Sequence, residues 1–524
     1  MVKALPHKNS TAISRRDVLM GGATITFAIS APGYSRLARA QPTRYVRRNI
    51  YDLARQNDPV IASYARAVDA MMKLPVDDPT SWWFQANMHD YPNSGGEGPL
   101  DEFTAPSKTD FFNKCPHGNF HFLPWHRLYL YYFERIVRKV SGNLNFALPY
   151  WNYERPGEST LPVPFRWRDD PMLPEPIPVL ERPNPLARAN RHSLINEGLF
   201  GMGDTASSSV AALAMANFLP VGGGTSFGGD GTGMLKQPVQ SGELEGQPHD
   251  VVHGMIGIAG GDMASTRTAA RDPIFWLHHA QIDRLWVEWV NRGDGRSNPV
   301  NNEDWMHTQF TFFDEDGNQV TKTAADALDT QLDFGYRYDT DPHRDEALVV
   351  AAQERHSDSA LRSGPPTVEL TEKAKSIKLG GRQATVNIPL SSTGRANLET
   401  ARTSSAASQT RYFLVLENIK IDRMFSSYYE IYLNKPAEAA ADPSGPYFVG
   451  TLAFFGMTHS HSDEGAKRVY DVTTIVETSL PGAGAMKNEI NLTFVQRGPV
   501  GPAGEFLVDE TVRPEIGSIR LLQR

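Results

Sequence analysis

The sequence predicts a mainly α protein, in which a four-helix-bundle domain is followed by a C-terminal β-sandwich-like domain. Three observations carry this. Apolar residues recur at helical spacing in separate segments up to about residue 295. Beyond roughly residue 300 the texture changes to alternating and β-branched runs bounded by turn residues. Histidine is sparse, 15 in 524 residues, yet it clusters in two places within the helical part.

The first helix is expected over residues 48–73, where Ile50, Leu53, Val60, Ile61, Tyr64, Val68, Met71 and Met72 fall on a helical period. Residues 82–89 read as a second helix. Residues 126–140 read as a third, with Leu128, Leu130, Tyr131, Ile136 and Val137 apolar. Residues 155–187 are proline-rich and read as a long connection along the surface. The glycine-rich run at 221–234 contains no G-x-x-x-x-G-K-[ST], so it reads as a flexible loop and not as a phosphate cradle. Helical pattern returns at 249–256 and 272–290. Residues 310–313 and 319–322 flank Asp314-Glu315-Asp316-Gly317-Asn318, a hairpin signature. Residues 354–410 read as linker with interspersed strand. Runs at 412–421, 428–433, 447–455, 468–476 and 489–496 have strand character and imply a sandwich or barrel. The expected organisation is therefore an export signal at 1–40, the helical domain at 41–300, a hairpin and linker region at 301–400 and a β domain at 401–524.

A net charge of −8 and a pI near 6.0 give no reason to expect nucleic-acid binding. No apolar run reaches the roughly 18 residues a membrane-spanning helix needs. Ser14-Arg15-Arg16-Asp17-Val18-Leu19, an apolar stretch at 21–31 and the small-x-small run Ala38-Arg39-Ala40 resemble a twin-arginine export signal. That resemblance implies the Tat export machinery as a partner and a periplasmic or secreted location. The alternative is a disordered basic N-terminus. With the single cysteine Cys115, an exported chain has no internal disulfide, so core packing and metal must stabilise it.

The histidine clusters are His89, His117, His121 and His126, then His249, His253, His278 and His279. Imidazole suits copper, zinc, iron and nickel. His249 and His253 are four residues apart, which puts both rings on one helix face. A zinc protease needs a glutamate directly after the first histidine, whereas Asp250, Val251 and Val252 fill the interval.

Asp272-Pro273-Ile274-Phe275-Trp276-Leu277-His278-His279-Ala280-Gln281-Ile282-Asp283-Arg284-Leu285-Trp286 resembles the second copper-site signature of tyrosinases, catechol oxidases and molluscan haemocyanins. His89 in Gln85-Ala86-Asn87-Met88-His89, His117, and His126 in Phe122-Leu123-Pro124-Trp125-His126-Arg127 resemble the first. Pro149-Tyr150-Trp151-Asn152 resembles the connector of the same family. The likeness is strong over about 45–295 and weaker over 304–338 and the C-terminal strands, which resemble those of plant-type polyphenol oxidases. It implies two copper ions, one held by His89, His117 and His126 and the other by His249, His253 and His279. His278 is then a packing residue and His121 a partly exposed loop histidine.

Further roles follow from the resemblance. Cys115, two residues before His117, matches a Cys-x-His spacing that carries a sulfur-to-imidazole thioether in several relatives; a free buried cysteine is the other reading. Glu245 matches the glutamate that holds an active-site water, and Asp250 stands where enzymes that hydroxylate monophenols often have asparagine. Both are candidate catalytic groups, and each is otherwise a solvated or capping carboxylate. Two carboxyls so close are expected to raise one another's pKa. Thr266 stands near the place of a bulky phenylalanine in plant-type enzymes, implying an open approach, and Arg267 can attract substrate carboxylates. Phe275 is expected beneath the histidines and Asp283 in an ion pair with Arg271 or Arg284. Within the C-terminal strands, Phe454-Phe455 is either a plug for the copper cleft or part of a sandwich core.

The implied activity is ortho-hydroxylation of monophenols and oxidation of o-diphenols to o-quinones with dioxygen, on a phenolic small-molecule substrate. Catechol oxidase or o-aminophenol oxidase activity without the hydroxylation is the nearest alternative. Haemocyanin-like oxygen binding and a zinc-loaded protein are more distant ones.

Overall fold

The computed structural model describes residues 44–91, 103–104, 107–166, 184–257, 260–341, 367–372, 376–403, 410–423, 427–457, 466–479 and 488–524. The expected export signal and the middle of the proline-rich connection lie outside them. No described helix is long and apolar enough to cross a membrane.

The stretch expected as one helix over 48–73 is two, α1 (Ile50–Arg55) and α2 (Pro59–Met72). Asn57 between them takes a left-handed backbone, φ 50°. Asp58 then caps α2 by accepting from the Val60 N–H at 2.9 Å, and Pro59 occupies the first helical position, where its missing N–H costs nothing. The apolar period runs through both pieces, so periodicity alone could not reveal the break. Helix α3 (Trp82–His89) starts at Ser81, whose hydroxyl accepts from the Phe84 N–H. Helix α4 (Phe122–Ser141) begins before His126 and ends at Gly142, φ 71°. Helix α5 (Val251–Gly257) and helix α6 (Ile274–Asn291) complete the helical frame. Asp272 starts α6 by accepting from the Ile274 N–H at 3.0 Å while it pairs with buried Arg191.

Helices α2, α4 and α6 pack side by side, with α3 against α2. Their seam is aromatic. Trp276 of α6 stacks on Phe133 of α4 at 3.4 Å between centroids and lies 4.7 Å from Tyr129. Strand β1 (Tyr45–Arg47), hairpin strands β2 (Phe310–Phe313) and β3 (Gln319–Lys322), and strand β4 (Tyr336–Tyr338) edge this core; β1 and β4 pair in parallel. The hairpin matches its expected ends.

A buried charge network ties these pieces together. Asp283 of α6 accepts from Arg127 (2.6 Å), Arg47 (3.3 Å) and the hydroxyls of Tyr336 and Tyr338 (2.6 Å each). Arg47 also bonds Glu134 at 2.9 Å. The expected ion pair of Asp283 therefore exists, but with other partners. Arg271 reaches Asn87, and Arg284 reaches Gln281 and Glu288. Sequence proximity suggested the wrong arginines: Arg271 lies outside α6 and bonds Asn87, and Arg284 is engaged along its own helix.

The stretch expected as linker with interspersed strand contributes to the β part. It supplies strand β5 (Val368–Glu369), strand β6 (Ile377–Lys378), strand β7 (Gln383–Pro389) and helix α7 (Ser392–Thr403). After them come β8 (Tyr412–Lys420), β9 (Tyr428–Leu433), β10 (Phe448–Leu452), β11 (Ala466–Asp471), β12 (Glu489–Arg497) and β13 (Glu515–Gln523). One sheet has the order β11-β8-β13-β5, with β6 also on β13; the other runs β10-β9-β12-β7. All pairings are antiparallel. Leu414, Leu416 and Leu521 from one sheet share a buried core with Ile431, Leu492 and Phe494 from the other, which makes a sandwich. Strand β13 was not expected from the pattern, and residues 473–479 form a short helix after β11 instead of continuing it.

Burial alone would raise the Asp283 carboxyl. Arg127 and Arg47, with the two tyrosine hydroxyls, outweigh it and hold the carboxyl below its ordinary value. A depressed folded pKa means stability present above the unfolded value and lost as pH falls toward the folded one. Asp283→Asn leaves the buried Arg127 guanidinium without its carboxylate, while Arg47 keeps Glu134, and is expected to cost about 3–5 kcal/mol. Urea unfolding at neutral pH checks this, and a loss under about 1 kcal/mol would contradict the network's role.

Candidate metal centre

Four helices and two connecting segments deliver the histidines. His89 ends α3, His126 lies in the second turn of α4, His253 is in α5, and His278 and His279 are in α6. His117 comes from the loop before α4. His249 lies just before α5, where extended Gln247 (φ −152°, ψ 128°) interrupts the preceding turn and lets Pro248 open the new one. Backbone N–H groups of Asn113, Lys114 and Cys115 bond the carbonyls of Asn87, Met88 and His89, which lays the cysteine alongside the end of α3.

Two groups of donor atoms result, His89 with Cys115, His117 and His126, and His249 with His253, His278 and His279; within each group the atoms lie within 4.8 Å of one another. The groups face each other. The rings of His126 and His279 stack at 4.1 Å and 12°, and His117 lies 6.0 Å from His249. Phe275 packs beneath, 4.2 Å from His279 and 4.9 Å from His89.

The hydrogen bonds fix the tautomers. His89 Nδ1 faces the Thr266 carbonyl (2.8 Å), His126 Nδ1 the Phe122 carbonyl (2.8 Å) and His253 Nδ1 the Met263 carbonyl (3.0 Å). A carbonyl only accepts, so each Nδ1 carries the proton and each Nε2 keeps its lone pair. His249 Nδ1 donates to Asp250 Oδ1 at 3.0 Å, and the Glu245 carbonyl also faces that ring. His89 Nε2, His249 Nε2 and His279 Nδ1 are buried with no hydrogen-bond partner among the described residues. The Nε2 atoms of His253 and His279 approach to 3.3 Å. Burial pushes the pKa of His89 and of His249 down to about 3, and those of His117, His126, His253, His278 and His279 well below the ordinary value. Inward lone pairs on neutral imidazoles are the donor set a copper pair requires, so the residues present fit that cofactor.

One close approach makes this possible. A Cβ on Gly257 would meet the Ala264 backbone nitrogen at 2.0 Å, so only glycine lets α5 end against the 262–264 turn that presents the Met263 carbonyl to His253.

The other expected residues fall as follows. Cys115 is buried; its sulfur lies 3.6 Å and 3.8 Å from the two ring nitrogens of His117. It also lies 3.3 Å from His126 Nε2. Glu245 Oε1 accepts from the Gly118 N–H at 2.7 Å, which links the loop after His117 to the segment before His249. Burial first, then Asp250, pushes the Glu245 carboxyl up; burial also raises Asp250, against the pull of Arg468. His278 lies nearer the donors than its packing role suggested, stacked on His249 at 5.3 Å and 18° and backed by Tyr153. His121 is not partly exposed but buried. Its Nε2 faces the Thr232 carbonyl at 3.1 Å, and its ring packs on Phe120 and Phe310, away from both groups.

The open approach expected at Thr266 is absent, because Phe455 covers the histidines. Its ring stacks on His253 at 3.9 Å and 11°, and stands edge-on to His249 (5.5 Å) and His117 (5.8 Å). Gly456, φ 79°, turns the chain there, and a Cβ added to it would stand 3.5 Å from the Thr266 methyl. The Phe454-Phe455 pair thus divides between the two cores. Phe454 belongs to the sandwich core and Phe455 to the helical core. Sequence reasoning missed Arg468, whose guanidinium reaches Asp250 at 2.6 Å from strand β11. A basic residue in an edge strand carries no signal of such a partner.

Fold and site together define a histidine-bound dimetal oxidase with an appended β-sandwich. The family model of the common central domain of tyrosinase matches residues 79–292, and that of the polyphenol oxidase middle domain matches 299–344. A domain of unknown function matches 368–510. Tyrosinase HcTyr1 of Hahella sp. (strain CCB-MM4) is 33% identical over 433 residues, covering 79% of this chain and 86% of its own. The chloroplastic polyphenol oxidase of Malus domestica is 28% identical over 425 residues, 76% of this chain and 66% of its own. The solved structure of latent apple tyrosinase (MdPPO1) shares the fold, with a TM-score of 0.59 at 21% identity over 92% of this chain and 98% of that one. The chain belongs to the type-3 copper tyrosinase and polyphenol oxidase family, and its activity is that of a polyphenol oxidase.

Proposed function

We propose that the chain hydroxylates monophenols at the ortho position and oxidises o-diphenols to o-quinones. In this reading His89, His117 and His126 hold one copper ion and His249, His253 and His279 the other. His279 is chosen over His278 because it stacks on His126 of the opposite group and its Nε2 meets that of His253. When bound, the copper pair supplies the redox chemistry that lets dioxygen react with a phenol.

The observation that carries the hydroxylase reading is Glu245. Its carboxyl is buried between the two histidine loops, one oxygen held by Gly118 and the other, Oε2, without a hydrogen-bond partner among the described residues. A phenol, pKa about 10, must shed its proton near neutral pH to react. A carboxylate fixed beside the histidines accepts that proton directly or through a water. Phe275 sets the floor, and Phe455 keeps water and substrate out until it moves.

A catechol oxidase or o-aminophenol oxidase without hydroxylase activity is favoured by one observation. Both Asp250 oxygens are engaged, one by His249 and one by Arg468, so Asp250 is not free to help Glu245 hold a water. Oxygen uptake with tyrosine and tyramine against catechol and o-aminophenol separates the readings. Glu245→Gln is expected to lower monophenol turnover about 100-fold while o-diphenol turnover falls far less. Wild-type turnover of catechol with none of tyrosine or tyramine installs the second reading.

Phe455 supports a latent state like that of the solved apple enzyme. Phe455→Gly is expected to raise kcat/KM for o-diphenols at least about tenfold, equivalent to removing roughly 1.4 kcal/mol of blockade. An unchanged value removes the plug function. The sulfur position supports a thioether between Cys115 and His117, formed by loss of the thiol and ring hydrogens with dioxygen as the electron acceptor. The intact mass is then expected to be two hydrogen atoms low, with no alkylation of the denatured chain. An alkylated Cys115 in copper-loaded protein ends that idea.

A further inference from the structure

The C-terminal sandwich does more at the histidines than carry Phe455. Strands β10 and β11 rest on the segment from Ser241 to Asp250. Thr451 donates to the Gln247 side-chain oxygen at 2.6 Å, and the Tyr470 hydroxyl donates to the Thr451 carbonyl at 2.8 Å. Between them Arg468 spans the boundary. One terminal nitrogen donates to the Ser241 hydroxyl at 2.6 Å and the other to Asp250 Oδ2 at 2.6 Å. Its side chain is 13% exposed and that of Asp250 3%, so this pair is shielded from solvent. The second Asp250 oxygen is the acceptor for His249 Nδ1 at 3.0 Å. A continuous chain of two hydrogen bonds, Arg468 to Asp250 and His249 to Asp250, therefore runs from the β-sandwich to an imidazole whose opposite nitrogen is buried with no hydrogen-bond partner among the described residues.

Arg468 also answers an electrostatic problem. Glu245 and Asp250 are buried carboxyls and Glu243 a half-buried one within one short segment, and the Arg468 guanidinium meets this negative charge through Asp250. Without it, Asp250 Oδ2 loses the hydrogen bond that holds the carboxyl in place, and a rotated Asp250 no longer holds the His249 ring by accepting from Nδ1.

We infer that Arg468 is a positioning residue for His249, acting through Asp250, so that the C-terminal sandwich completes the second histidine group as well as covering it. The inference rests on the reading of His249 as a metal ligand. It gives the sandwich two opposed contributions. Phe455 withholds the site from substrate, while Arg468 orients one of its ligands. Removing the whole sandwich is then not equivalent to removing the plug.

The test is a copper titration of the full-length apoprotein by chelator competition, with no turnover involved. Wild type is expected to take two equivalents per chain. His249→Ala is expected to lose one of them. Arg468→Ala is expected to weaken that same equivalent 10–100-fold, the usual effect of removing an outer partner of a metal-binding histidine, and to leave the other unchanged. Arg468→Lys, which keeps the charge but not the two-pronged geometry, is expected to fall between. In an Asp250→Asn background, changing Arg468 is expected to have little further effect on that equivalent. If Arg468→Ala does not fold, Arg468→Lys carries the comparison, with a smaller selective loss expected. Wild-type affinity at both equivalents in the Arg468 variants, or an equal weakening of both, overturns the inference. Two tight equivalents remaining in His249→Ala overturn instead the ligand reading beneath it.

Discussion

Seven imidazoles can share one apolar interior only if they are neutral and each turns a lone pair toward the others. That constraint organises the helical part of this chain. Burial strips the rings of their protons, and backbone carbonyls of Thr266, Phe122 and Met263 fix which nitrogen keeps its hydrogen. The carbonyls come from turns and helix starts that are themselves held by close contacts, such as Gly257 against Ala264. The ring orientations are thus set by main-chain geometry before any ion arrives, which limits the rearrangement that binding requires.

The rigidity behind those carbonyls comes from charge as well as packing. Asp283 gathers Arg127, Arg47 and two tyrosine hydroxyls in a region with no water exposure to speak of, joining α4, α6, β1 and β4. Such a network contributes little net stability relative to an apolar core, but it penalises any other arrangement of those elements. His126 and His279 sit on the same two helices, so the register that brings them to 4.1 Å is the register the network enforces.

The β-sandwich has its own core, and its boundary with the helical part falls within one dipeptide. Phe454 packs inward among sandwich residues, while Phe455 packs against His253. The Met457 N–H bonds the Phe454 carbonyl at 3.2 Å and closes a turn there, so a single loop reaches both cores. Arg468 exploits the same boundary from the neighbouring strand.

The sequence by itself determined the histidine-bearing helices, the hairpin, the strand-rich end and the two histidine groups, because helical and alternating periods and short-range spacing are local properties. Resemblance to the family, and not any local period, pointed to Glu245, Asp250, Phe275 and the Phe454-Phe455 pair. The sequence could not show that α1 and α2 part at Asn57, since the apolar period continues across the break. Nor could it show that residues after 367 already belong to the sheets, since their edge strands are short and polar. Only the tertiary structure decided that His121 is buried apart from the metal centre, that Asp283 chooses Arg47 and Arg127, and that Arg468 meets Asp250. Those partners are separated by 111, 236, 156 and 218 positions along the chain. Their pairing follows from packing of whole elements, which no local pattern encodes.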